Sequence, residues 1–148
     1  MRAVVQRVNH ARVRVDGETV GRIDRGLLVY VGVASTDTPA DARKLAEKIA
    51  CLRIFDDADG KLNLSVRDVG GGVLAIPNFT LQGDTRKGRR PSFVSAAPGP
   101  VSEPLHDAFV AALGTWVDWV AGGVFGAHMH VDSQADGPVN VIVDMPPR

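Results

Sequence analysis

Gly26-Leu27-Leu28-Val29-Tyr30-Val31-Gly32-Val33 is a continuous apolar run. Its length and β-branched content predict a strand buried on both faces at the centre of a sheet. Toward the N-terminus, residues 3–8 and 11–16 read as further strands. In the second, Val13 and Val15 alternate with Arg12, Arg14 and Asp16, the period of a half-buried strand. Asp16-Gly17 is a hairpin-turn signal leading into Thr19–Ile23.

Beyond the run, Thr36-Asp37-Thr38-Pro39-Ala40-Asp41 predicts a helix start. Thr38 can cap, Pro39 suits the first helical position, and Asp41 suits the positive end of the dipole. Leu45, Ile49 and Leu52 recur at helical spacing beside Ala42 and Ala46, opposite Arg43, Lys44, Glu47 and Lys48. Asp56-Asp57-Ala58-Asp59-Gly60 reads as a turn; it lacks the terminal Glu of a calcium loop. Val73–Leu81 after Gly70-Gly71-Gly72 predicts a strand that Pro77 restricts to an edge, bulge or bend. Residues 82–100 form a long Gly/Pro/Arg-rich loop, a length often tied to function. Ser102-Glu103-Pro104 predicts the start of a second helix, with a stripe of Leu105, Phe109, Leu113, Trp116 and Val120. Residues 124–131 and 139–144 close the chain as strands around Asp136-Gly137-Pro138. Together these elements predict an α+β fold over residues 1–148. It is a single compact domain of mainly antiparallel or mixed β-sheet with two main helices.

The composition fits this. The 148 residues suit one domain, and 45% apolar with 23% charged residues is an ordinary globular mix. Seventeen Lys+Arg cancel seventeen Asp+Glu. Neutrality excludes a protein coated in positive charge, but not one with a local basic patch. Six Arg against three acids in the first 25 residues, and four cations within 86–90, are such local excesses. The N-terminus lacks the apolar core of a signal peptide, and no apolar run approaches the ~20 residues of a membrane span. The expected setting is cytoplasmic, without membrane association. The single Cys51 permits no intrachain disulfide and is expected to be a small buried apolar residue late in its helix.

Four features bear on chemistry. Arg86-Lys87-Gly88-Arg89-Arg90 reads as a polyanion-binding loop, its guanidinium forks matching phosphate, or as a solvated charged loop. Phe79-Thr80-Leu81 before Gln82-Gly83-Asp84 puts a Thr at a strand end beside a loop, as a ligand contact or a structural residue. A Thr nucleophile needs a base. None of His10, His106, His128 and His130 lies near it in sequence. Asp136-Gly137-Pro138-Val139 reads as a turn, with a cis Gly-Pro bond open to it. His128-Met129-His130 puts two imidazoles on one strand face, ordinary strand positions or an incomplete metal pair. No metal and no cofactor is expected.

In combination these segments resemble a known family. The matching stretches are Met1–Val8, Val15-Asp16-Gly17, Leu45–Ile49, Leu52–Phe55, Leu62–Ser65, Phe79-Thr80-Leu81, Gly83–Phe93 and Gly137-Pro138-Val139. In order, over nearly the whole chain, they resemble the D-aminoacyl-tRNA deacylases, once called D-tyrosyl-tRNA deacylases. The resemblance implies a deacylase-like fold and a homodimer with its active site at the dimer interface. It implies hydrolysis of the ester between a D-amino acid and the 3′ end of tRNA, as chiral proofreading in translation. It also implies removal of glycine from mischarged tRNA-Ala. Thr80 and Phe79 become the catalytic residues. Gly137, Pro138, Asn78, Met129 and Arg7 become the substrate-binding set of chiral selection. Arg86, Lys87, Arg89 and Arg90 become the RNA-binding set. In the family the Gly-Pro bond is cis, and its carbonyls reach into the partner's site, leaving no room for an L side chain. The signature Ser-Gln-Phe-Thr-Leu is here Pro77-Asn78-Phe79-Thr80-Leu81, and Gly-Pro-Val-Thr is here Gly137-Pro138-Val139-Asn140. Pro77, Asn78 and Asn140 therefore raise two alternatives: a deacylase of altered substrate range, or a non-catalytic RNA-binding relative.

Overall fold

A computed structural model describes residues 1–147. The predicted central run is β3 (Gly26–Gly32). It lies between β1 (Arg2–Val15), antiparallel to it, and β6 (Gly72–Pro77), parallel to it. The sheet runs β2 (Glu18–Ile23), β1, β3, β6, β7 (Val120–Gly122), with β8 (His130–Asp144) also paired to β1. The remaining elements are α1 (Pro39–Cys51), a small β4–β5 ribbon (Phe55–Asp56 and Leu62–Leu64) and α2 (Gly99–Leu113). The sheet is therefore mixed: antiparallel through its N-terminal strands and parallel across β3, β6 and β7.

Both faces of the central strands are buried, as the unbroken apolar run requires. Leu27, Val29 and Val31 of β3 and Val73 and Ala75 of β6 face the layer of α1 and α2. Leu28 of β3 and Leu74 and Ile76 of β6 face a second, smaller core with Val8, Ala11, Val13 and Ile23. The sheet curls around that second core. A Cβ on Gly21 of β2 would lie 2.3 Å from the Gly122 carbonyl oxygen of β7, so glycine lets the two outer strands meet. The result is a half-closed barrel with two helices on its outer face.

Helix α1 begins as its sequence predicts. Thr38 Oγ1 accepts from the Asp41 N–H at 3.3 Å, and the Asp41 carboxylate accepts from the Thr38 N–H at 2.9 Å. This reciprocal capping box holds the Asp41 carboxyl below its usual pKa, chiefly through the Thr38 hydroxyl. Ala42, Leu45, Ala46, Ile49 and Ala50 are its buried stripe.

Several local expectations need correction. The two N-terminal strands are one, bent by bulges opposite β8. Residues 124–131 are not a strand; β8 starts at His130 and runs through Asp136-Gly137-Pro138 to Asp144. Helix α2 starts at Gly99, not Ser102, because Pro100 in the first turn needs no N–H partner; Gly114 ends it before Trp116 and Val120. Strand β6 ends at Pro77, and Phe79–Gln82 form a 3₁₀ turn. Cys51 is exposed at the last position of α1, with Arg67 Nη1 3.8 Å from its sulfur. No helix among the described residues is long and apolar enough to cross a membrane.

Candidate active site

The site is built at the C-terminal end of β6. The Asn78 N–H donates to the Val31 carbonyl at 2.8 Å. Alternation then turns the nitrogen of Pro77 away from β3, and β7 reaches only as far as Ala75. Proline therefore costs the ladder no bond, which explains how it replaces serine here. Asn78 is extended (φ −148°, ψ 91°) and caps the turn that follows. Its Oδ1 accepts from the Thr80 N–H at 3.2 Å and from the Thr80 hydroxyl.

The turn is seated on the end of β3. Gln82 is buried, and its Nε2 donates to the Gly32 carbonyl at 2.8 Å. A Cβ on Gly32 would lie 2.9 Å from both the Asn78 carbonyl oxygen and Leu81 Cβ. Ser95 Oγ donates to the Gln82 carbonyl at 3.1 Å and ties the long loop to the same point.

On one side of the turn lies a pocket of about 520 Å³, with Asn78, Phe79 and Thr80 along one wall. Phe125, Gly126, His128 and Met129, from the segment before β8, form the opposite wall. Tyr30, Ile76, Met129 and Val131 are shared between the pocket lining and the barrel's inner core, so the pocket floor is the end of that core. Burial pushes the Tyr30 phenol pKa up and keeps it neutral. Phe79 is 57% exposed, and its ring meets Phe93 edge-on at 5.2 Å.

On the other side of the turn a more polar cleft of about 800 Å³ is lined by Arg2, Ser35, Gln82, Asp84, Arg86 and Ser95, among others. The basic loop rises from it. Asp84 and Ser92 exchange backbone hydrogen bonds at 2.8 and 2.9 Å and close the base of the loop. Arg86 grips the Asp84 carboxylate through Nε at 2.9 Å and Nη2 at 2.6 Å. That grip holds the Asp84 carboxyl down at about 2. Lys87, Arg89 and Arg90 are exposed around Gly88, whose φ of +69° suits a residue without a side chain.

The predicted site residues fall into two places. Phe79, Thr80, Asn78 and Met129 share the pocket. Gly137, Pro138 and Arg7 do not line it; they meet at a bulge in β8. Gln6 pairs with Asn140 and Val8 with Ala135, so Asp136, Gly137, Pro138 and Val139 stand opposite Arg7 alone. Arg7, 6% exposed, fills the gap. Its Nε donates to the Asp136 carbonyl at 3.2 Å and its Nη1 to the Ile54 carbonyl at 3.0 Å. The Asp136 carboxylate lies 3.1 Å from the guanidinium. Gly137 and Pro138 are exposed, and the bond between them is cis.

Sequence distance hid two things. His128, remote from Thr80 along the chain, lines the same pocket. His128 and His130 do not share a strand face, because His128 precedes β8; their rings meet edge to face at 5.1 Å. No group of three metal-ligating side chains occurs among the described residues. Tyr30, Phe125 and Gly126 also went unread, since an apolar run and a loop glycine carry no mark of a pocket.

A turn offering backbone and amide groups to an apolar pocket, beside a polar cleft with a basic loop, suits hydrolysis at the end of a charged polymer. The D-Tyr-tRNA(Tyr) deacylase family matches residues 4–144. A D-aminoacyl-tRNA deacylase of Chloroflexus aurantiacus is 57% identical over 97% of this chain and 90% of its own length. One from Thermus aquaticus is 54% identical over 97% and 95%. A solved structure titled c-Myc DNA Unwinding Element Binding Protein superposes with a TM-score of 0.92, at 38% identity over 97% of this chain and 98% of that one. The fold is also that of a probable eukaryotic D-amino acid tRNA deacylase, with a TM-score of 0.81 at 19% identity over 96% and 97%. The chain belongs to the D-Tyr-tRNA(Tyr) deacylase family. It is an enzyme, a hydrolase of the D-aminoacyl-tRNA deacylase class.

Proposed function

We propose that this single-domain chain cleaves the ester between a D-amino acid and the terminal adenosine of tRNA, releasing both as a chiral proofreader in the cytoplasm, and that it also removes glycine from mischarged tRNA-Ala. The observation that carries the reading is the wall formed by Asn78, Phe79 and Thr80. The Thr80 N–H is taken by Asn78, whereas the Phe79 N–H has no acceptor among the described residues. Phe79 N–H is then the donor for the oxyanion that forms when water adds to the ester carbonyl. The carbon–oxygen bond to the ribose breaks as that intermediate collapses, and the ribose oxygen takes up a proton.

Thr80 acts by position. Its hydroxyl donates to an amide oxygen, which is no base, so its proton is not drawn toward His128 and its lone pairs remain as acceptors. The ribose 2′-hydroxyl beside the ester assists the attacking water. Arg86, Lys87, Arg89 and Arg90 bind the RNA, with the polar cleft taking the nucleotide end.

The homodimer in this proposal completes the pocket. Within one copy the exposed Gly137-Pro138 lies away from the pocket, and β8 pairs only with β1, leaving its outer edge open. A second copy would bring its Gly137 and Pro138 carbonyls to the mouth of this pocket. A main-chain wall there excludes every L side chain regardless of identity, and glycine, lacking Cβ, passes. The local fit of Pro77 and Asn78 favours this over a non-catalytic relative.

The test is hydrolysis of D-Tyr-tRNA, Gly-tRNA and L-Tyr-tRNA by the purified protein. Release of D-Tyr and Gly but not L-Tyr is expected; failure to release either D-Tyr or Gly would sink the reading. Thr80→Ala should keep turnover within about tenfold, while a 2′-deoxy terminal adenosine should abolish it.

A further inference from the structure

The Asn78 side chain does more than cap a turn. A backbone N–H can only donate, so the atom of the Asn78 amide that faces Thr80 N at 3.2 Å must be the oxygen. The Thr80 hydroxyl donates to that same oxygen, and the two bonds fix the amide plane. Its orientation is therefore set by chemistry rather than by choice. The Nδ2 group is left with two N–H donors and no acceptor among the described residues. Asn78 is only half-exposed, and its pocket is lined by Tyr30, Ile76, Phe79 and Met129. An amide donor kept without a partner in such surroundings is costly unless something fills it.

We infer that Asn78 is a catalytic residue, its Nδ2 forming with the adjacent Phe79 N–H a two-donor hole for the developing oxyanion. The inference rests on the ester hydrolysis proposed above and adds a side-chain donor to it. The bonds to Thr80 orient this donor in advance, so no reorganisation is needed as charge develops. Thr80 in this view is a positioning residue for the Asn78 amide.

Asp and Ser both cap turns and helices about as well as Asn, but neither presents an amide N–H. Asn78→Asp keeps the oxygen that holds Thr80 and removes the donor. Asn78→Ser removes it without adding charge. Single-turnover hydrolysis of D-Tyr-tRNA and the melting temperature are measured for both variants beside the wild type. The expected result is a rate lower by about 10²–10³-fold in both, typical for loss of one oxyanion donor, with Tm unchanged within about 2 °C. If Asn78→Asp does not fold, Asn78→Ser alone decides. A rate within about threefold of wild type in a folded variant overturns the inference and leaves the deacylase reading standing. A rate loss that comes only with a clear fall in Tm also overturns it, because disorder of the turn then accounts for the loss. An inactive wild type removes both.

Discussion

Replacing Gly32 with alanine tests how the catalytic turn is held. The new Cβ would lie 2.9 Å from the Asn78 carbonyl oxygen, 2.9 Å from Leu81 Cβ and 3.4 Å from Gln82 Nε2. Carbon atoms prefer about 3.5–4.0 Å, so Leu81 must move by roughly 0.6 Å or more. The Asn78 oxygen is main chain and gives less readily. Overpacking of this kind costs about 1–3 kcal/mol. At about 2–4 °C per kcal/mol for a domain near this size, Tm should fall by roughly 2–12 °C. All three neighbours belong to Asn78–Gln82, so the turn itself is displaced, and misplacement approaching 1 Å costs on the order of 10²-fold in rate. Gly114→Ala is the control. Its nearest neighbours would lie at 3.4 and 3.8 Å, and its backbone is already helical at φ −62° and ψ −16°. It should leave activity unchanged and Tm the same or slightly higher. Thermal melts and single-turnover hydrolysis of D-Tyr-tRNA read both. A Gly32→Ala protein that melts lower but cleaves at the wild-type rate would refute the claim that this seat positions the turn. An unchanged Tm would refute the packing argument itself.

Arg7→Met should cost about 3 kcal/mol in urea unfolding, because it strands the Ile54 and Asp136 carbonyls and leaves the Asp136 carboxylate without its cation. His106 is buried with its Nδ1 unpartnered, and burial lowers its pKa from the ordinary value of 6.5. The unfolded chain therefore takes up that proton first as pH falls. Stability should be full above about pH 6.5 and decline as pH drops through the folded-state value, a slope that His106→Gln should reduce in melts between pH 7.5 and 5. Asp84→Asn should free Arg86, tightening tRNA binding at low salt and steepening the log–log salt dependence by about one unit, measured by filter binding.

Much of the fold could be read from local pattern, because its physics is local. An apolar run needs two covered faces, and β3 has them. The Thr38–Asp41 box needs only residues three apart, and α1 begins there. What escaped reading depends on partners distant in sequence. The β8 bulge exists because one buried guanidinium, Arg7, occupies the gap that four residues span, and nothing in Asp136-Gly137-Pro138 announces Arg7. The end of β6 at Pro77 hinges on the short reach of β7, a fact of the sheet rather than of the strand. For the site, Phe79, Thr80 and Asn78 were legible through resemblance, whereas Tyr30 and His128 entered only when three separated segments closed around one pocket. Cys51 was misjudged because the last residue of an amphipathic helix can turn to either side.

The shared floor of the pocket has a thermodynamic consequence. Tyr30, Ile76, Met129 and Val131 are at once the end of the inner core and the surface offered to a ligand. A D-aromatic side chain seated there removes from water apolar surface that folding alone leaves wet, at about 25 cal/mol per Å². Occupancy then raises the melting temperature through mass action. Folding and recognition draw on one apolar surface, so substitutions that loosen the barrel, such as at the Gly21–Gly122 seam, will register as weakened binding well before they register as unfolding.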